Sequence, residues 1–174
     1  MIRRRLLLLA IAAAAALACS SSDSPTGGNN DNGNGNNNGY NNATGTMTAT
    51  VDGASWTANF LTRATYSGTL SITGESFNGN NAQTRVVTMA VINVTVDSTY
   101  TLYSPGDGHG GNAIMTLGGT NQWYTSSPGG SGTVTVTALD GTHVAGTFTF
   151  VGVGSGSLGN STVTNGHFDI PFKQ

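Results

Sequence analysis

The chain carries a single cysteine, Cys19, and only 8% of its residues are charged. One cysteine excludes a disulfide within the chain, so a folded domain here must be held by its apolar core and backbone ladders alone. Basic residues are scarce: beyond Arg3, Arg4 and Arg5 there are only Arg63, Arg85 and Lys173, against Asp52, Glu75, Asp97, Asp107, Asp140 and Asp169 in the same part of the chain. A mildly acidic domain without a basic patch excludes nucleic acid as a partner, because phosphate backbones are gripped by clustered Lys and Arg. Also missing are GxxxxGK[ST], HExxH and GxSxG, the strings that bring phosphate transfer, zinc proteolysis and the common serine-esterase arrangement. Apolar residues at three-four spacing are absent after Ala43, which removes helices as building blocks.

What is present begins with an export signal over residues 1–18. Arg3, Arg4 and Arg5 form a basic leader, Leu6 to Ala18 is uninterrupted apolar chain, and small residues lead into Cys19. The apolar run is about 13 residues, short of the roughly 20 that a spanning helix requires. Ala16-Leu17-Ala18-Cys19 resembles the lipobox of bacterial lipoproteins, with Ala16 where leucine is more usual. The resemblance implies cleavage before Cys19 and acylation of that residue. A lone exported thiol left free would be a reactive liability, which argues for the same outcome. The expected location is the bacterial cell envelope, at the outer membrane, with the membrane as a partner through the lipid.

Residues 19–43 form the lipidated cysteine and a linker. Gly27 to Asn42 is almost entirely Gly and Asn, with Asp31 and Tyr40 as exceptions. Such composition has no apolar surface to set against backbone entropy, so it predicts disorder. About 24 flexible residues span roughly 27 Å, enough to hold a domain clear of lipid headgroups. Calcium binding by the Asp-Asn-Gly repeats is disfavoured, because Asp31 is the one carboxylate there and such sites need several.

Residues 44–174 predict one all-β domain, an antiparallel sandwich or flattened barrel of about ten strands. The clearest signal is Gly132 to Phe150: Val134, Val136 and Ala138 alternate with Thr133, Thr135 and Thr137, and Phe148 and Phe150 alternate with Thr147 and Thr149. Asp140-Gly141 between the two runs predicts a tight hairpin turn with positive φ, and Asp52-Gly53 predicts another. The remaining expected strands are 46–51, 55–60, 65–73, 84–96, 99–103, 113–117, 122–125, 133–139, 143–151 and 162–172. Val86-Val87 and Val91-Ile92 put apolar residues on both faces of the fourth, which suits a central strand covered on each side. Phe168, Ile170 and Phe172 alternate and predict a last strand that locks the C-terminus into the sheet.

Val51-Asp52-Gly53 with Trp56, Gly132-Thr133-Val134, Gly146-Thr147-Phe148 with Phe150, and Asn165-Gly166-His167-Phe168-Asp169-Ile170 resemble the Bacteroidetes-type lipoproteins gathered as the domain of unknown function DUF6252. The resemblance covers nearly the whole domain. It implies an exported, all-β, lipid-anchored protein and brings no catalytic residues. His167 stands where a small residue such as Ser or Thr is expected.

Candidate chemistry is thin. Gly154 to Gly159 matches GxGxxG, but a strand follows it instead of a helix and no acidic residue lies at the expected spacing, so it reads as a loop. Asp107 and His109 lie on the glycine-rich stretch after Ser104-Pro105-Gly106 and form the one polar cluster with ligand-binding potential, although Pro and Gly explain a turn there without any ligand. A metal site would require His109, His143 and His167 to converge; no metal and no cofactor is expected. Trp123 and Tyr124 are adjacent on a strand and point to opposite faces, so one of them is a candidate platform for a sugar ring; the competing reading places Trp56 and Trp123 in the core. No catalytic constellation can be assembled. The expectation is therefore a membrane-anchored envelope lipoprotein with a binding or structural domain, partnered by a glycan or an envelope protein. The alternative is a glycan hydrolase using paired carboxylates such as Glu75 and Asp107, which would lie roughly 5 to 9.5 Å apart across a groove.

Overall fold

The computed structural model describes residues 42–43, 45–103 and 110–172. Cys19, Asp107 and His109 lie outside the described residues. The described part is all-β, with twelve strands: β1 (Asn42–Ala43), β2 (Thr46–Val51), β3 (Ala54–Thr57), β4 (Leu61–Tyr66), β5 (Thr69–Ser76), β6 (Arg85–Ile92), β7 (Ser98–Thr101), β8 (Gly111–Leu117), β9 (Asn121–Tyr124), β10 (Ser131–Leu139), β11 (His143–Gly154) and β12 (Asn160–Pro171). They form one sheet in the order β1-β4-β5-β6-β8-β9-β11-β12-β2-β3, with β10 on β11 and β7 on β10. The sheet curls into a half-barrel, the barrel-like of the two expected architectures. Its pairings are antiparallel except β1 on β4. That two-residue strand moves the start of the sheet into the segment assigned to the linker, since Asn42 pairs with Leu61 and Ala43 with Thr62.

Alternation governs which face is buried. Val134, Val136, Phe148 and Phe150 point inward, as the period-two pattern requires, and so do Phe168 and Ile170. Ala138 is only half-buried, because the pairing of β10 with β11 shifts between Val136 and Ala138 and leaves Thr137 as an extra residue. Glycine makes room for the large rings. Gly132 pairs with Phe150, Gly146 with Phe168 and Gly166 with Phe148. A Cβ on Gly146 would lie 2.6 Å from Phe168 Cζ, and one on Gly166 would lie 2.6 Å from Phe148 Cγ. These Gly and Phe positions are thus cross-strand packing pairs in which a ring lies over a bare backbone.

Four expectations need correction. The segment 65–73 is not one strand: β4 and β5 form a hairpin that turns at Ser67 and Gly68, where Gly68 takes φ +75°. The strand expected over 84–96 stops at Ile92, because Asn93 and Asp97 take φ of +52° and +56° and turn the chain. β6 is central, between β5 and β8, but only one of its faces is fully covered: Val87, Met89 and Val91 are buried, whereas Val86 and Ile92 are half-buried. The Asp140 turn does not use positive φ. Its carboxylate Oδ1 instead accepts from Thr142 N–H (2.6 Å), Thr142 Oγ1 (2.6 Å) and His143 N–H (3.0 Å), and Asp140 N–H donates to His143 C=O (3.1 Å). Asp52 (φ +51°) and Gly53 (φ +82°) do adopt the expected two-residue geometry.

Candidate functional site

β12 carries an extra residue where it faces both neighbours: its register shifts against β11 between Phe148 and Phe150 and against β2 between Thr164 and His167. Asn165 sits there at φ +50°, a left-handed conformation that Asn tolerates better than other side-chain-bearing residues. The bulge opens a shallow groove of about 340 Å³ on the outer face, lined by Thr133, Thr147, Phe148, Thr149, Asn165, Gly166 and His167. Thr149 Oγ1 donates to Val163 C=O at 2.9 Å beside the bulge.

The outer face around this groove is a threonine array. Thr99, Thr135, Thr147, His167, Thr48 and Thr57 stand in one row across β7, β10, β11, β12, β2 and β3. His167 is the single non-threonine in that row and is exposed. The groove therefore offers hydroxyls, one amide and one imidazole, a set that donates and accepts hydrogen bonds, and its lining contains no carboxylate.

The carboxylates are placed elsewhere. Asp52 accepts from Ser161 Oγ and Thr162 N–H, both at 2.7 Å, and so ties the β2–β3 turn to the start of β12. Asp140 is held down to about 2, first by the Thr142 hydroxyl and then by the Thr142 and His143 backbone N–H groups. His143 Nδ1 lies 3.0 Å from Asp140 Oδ2. Glu75, half-buried on the outer face opposite Leu61 and Val86, is raised above the ordinary carboxylate range by desolvation.

The two aromatic candidates split between faces as alternation demands. Trp123 stands opposite buried Met115, packs against the core, and donates its indole N–H to Gly159 C=O at 2.9 Å. Tyr124 stands on the other face opposite Ile114 and Val153, half-buried, with its hydroxyl bonded to Gln122 Oε1. Trp56 is core, and its indole donates to Ser76 Oγ at 2.8 Å. His143 pairs with Pro171 and His167 with Thr147, which separates the two imidazoles by four residues along β12, roughly 13 Å. They do not converge, and no group of three metal-ligating side chains occurs among the described residues. The stretch Gly154 to Gly159 closes the β11–β12 hairpin, with Gly156 at φ +65° and Leu158 N–H on Ser155 C=O, so it is a turn between strands.

Asn165 was the residue that strand reasoning passed over. The Asn-Gly dipeptide inside an alternating run is the signal for it, since that pair inside a strand marks a bulge. Comparison with known proteins adds no assignment: no family model, no curated protein and no solved structure matches the chain.

Proposed function

We propose that this is a lipid-anchored envelope protein whose all-β domain binds a polar ligand, a glycan or an envelope protein, and does not transform it. The observation that carries the reading is the bulge groove: it presents Thr133, Thr147, Thr149, Asn165 and His167 without a carboxylate, which suits recognition and supplies no acid–base pair. Two other carboxylates, Asp52 and Asp140, serve as acceptors that hold turns. The anchor rests on the basic leader, the apolar run and Cys19, and the resemblance to DUF6252 lipoproteins points the same way. Cys19→Ala is expected to shift the protein from the membrane fraction to the soluble fraction, because acylation at that residue supplies the hold on lipid. Retention of the variant in membranes after a high-salt wash overturns the anchor.

A second reading, glycan hydrolysis, is favoured by one observation. Burial raises the Glu75 carboxyl above its ordinary range, the direction in which a general acid is displaced. Its partner would be Asp107. Release of reducing ends from a polysaccharide by the full chain, abolished in both Glu75→Gln and Asp107→Asn, would select this reading over the first.

A further inference from the structure

A second groove, of about 350 Å³, lies where the sheet edge at β4 meets the end of β12. Three elements are pinned together there. Phe172 bridges to Ala64 in parallel register, and Phe172 N–H donates to Thr142 C=O at 2.8 Å, which fastens the end of β12 to the Asp140 turn. The turn is itself fixed by the Asp140 carboxylate. The groove is lined by Ala64, Thr65, Tyr66, Asp140, Gly141 and Phe172. Tyr66 is 47% exposed although it is a large aromatic side chain with a core a few residues away, and Phe172 is half-buried.

An aromatic face, a second ring, a hydroxyl and a carboxylate along one shallow wall are the parts needed to hold a sugar ring. The C–H face of a pyranose lies on an aromatic ring, and its hydroxyls donate to carboxylate oxygens and exchange hydrogen bonds with a Tyr hydroxyl. Asp140 Oδ1 already accepts from three donors, and Oδ2, 3.0 Å from His143 Nδ1, keeps a lone pair for a hydroxyl donor. The Asp140 bonds and the Phe172 contacts with Ala64 and Thr142 hold the lining together, and such tethering lowers the ordering cost of binding.

We propose that this seam groove is a subsite for one ring of a neutral hexose-based oligosaccharide, stacked on Tyr66 and hydrogen-bonded to Asp140. The proposal rests on the reading of the domain as a binding module and is independent of the lipid anchor.

The test is titration of the full chain in detergent with maltotetraose, cellotetraose, mannotetraose and chitotetraose, followed by NMR or calorimetry. Tyr66→Ala is the main variant, chosen because an exposed side chain can be truncated without opening the core. Binding of at least one of these sugars is expected, with affinity weakened about tenfold in Tyr66→Ala, kept in larger part in Tyr66→Phe, and unchanged in Val96→Ala, an exposed residue that lines neither groove. Loss in His167→Ala with Tyr66→Ala unaffected would move the ligand to the bulge groove and overturn the subsite while sparing the binding reading. Binding of tetramethylammonium but of none of the sugars, or no binding at all, also overturns it. The membrane-release experiment uses no ligand and is independent of either result.

Discussion

Phe148 shows how much a single residue decides in this sheet. Its ring lies 6.4 Å from that of Phe150 and 6.3 Å from that of Phe168, and the bare backbone of Gly166 faces it across the ladder. Its neighbour Thr147 faces the other way, half-buried in the threonine row, and shares the bulge groove. Phe148→Ala removes the shared wall of two ring contacts and leaves a cavity that Gly166 cannot fill, so it should cost about 3 to 5 kcal/mol. Against a total of roughly 5 to 15 kcal/mol for a domain of ordinary stability, that is a visible loss. Thr147→Ala removes a hydroxyl from the solvent side and should change stability by at most about 0.5 kcal/mol. Urea denaturation of both variants checks the pair. Equal losses would contradict the register that the structure assigns to β11.

The Asp140 turn illustrates control at the level of an element. β10 and β11 are joined by a loop that the carboxylate organises, because it caps two backbone N–H groups and one hydroxyl. The folded carboxyl sits at about 2, below the roughly 3.9 of an unfolded Asp, so its contribution is fully present above that unfolded value and is lost as pH falls through the folded one. Glu75 has the opposite sign: its folded value is raised by burial, so its contribution is present below roughly 4.3 and is lost as pH rises through the raised value. The Asp140 signature is therefore read on the acid side. The urea midpoint of the wild type should fall between about pH 4 and pH 2, and Asp140→Asn should flatten that fall. An unchanged slope in the variant would mean that the carboxylate does not hold the turn. The same element marks the limit of sequence reading. Alternation of Val and Thr with Phe and Thr made the β10–β11 hairpin and its buried face legible, because a period of two admits one register. The turn chemistry was not legible, since Asp-Gly suits both a positive-φ turn and a side-chain-capped one. The β4–β5 hairpin was missed for a related reason: Ser67-Gly68 is a weaker turn signal than Asp-Gly, and Thr65 to Thr73 alternates well enough to read as one strand. Neither groove was visible: Asn165-Gly166 signals a bulge, but the groove beside it and the seam between β4 and β12 exist only once distant strands are paired.

At the scale of the whole molecule, the order of strands makes the last one indispensable. Among the described residues, β12 is the only strand that joins β11 to β2, and through β2 it holds β3. Asp52 on the β2–β3 turn receives Thr162 N–H, a contact spanning 110 residues of chain, so closing the sheet requires the N- and C-terminal parts of the domain to meet. Folding dominated by such distant contacts is slow, in the range of milliseconds to seconds for all-β domains, and it cannot finish before the final residues are available. A chain ended after Gly159 would lack Val163, Phe168 and Ile170 from the core and would leave β11 and β2 each with an unpaired edge. It should show no cooperative transition in urea and no fixed aromatic signal in near-ultraviolet circular dichroism. A cooperative transition in that truncated chain would mean that β4, β5, β6, β8 and β9 form a core of their own, and that the last strand decorates the fold instead of completing it.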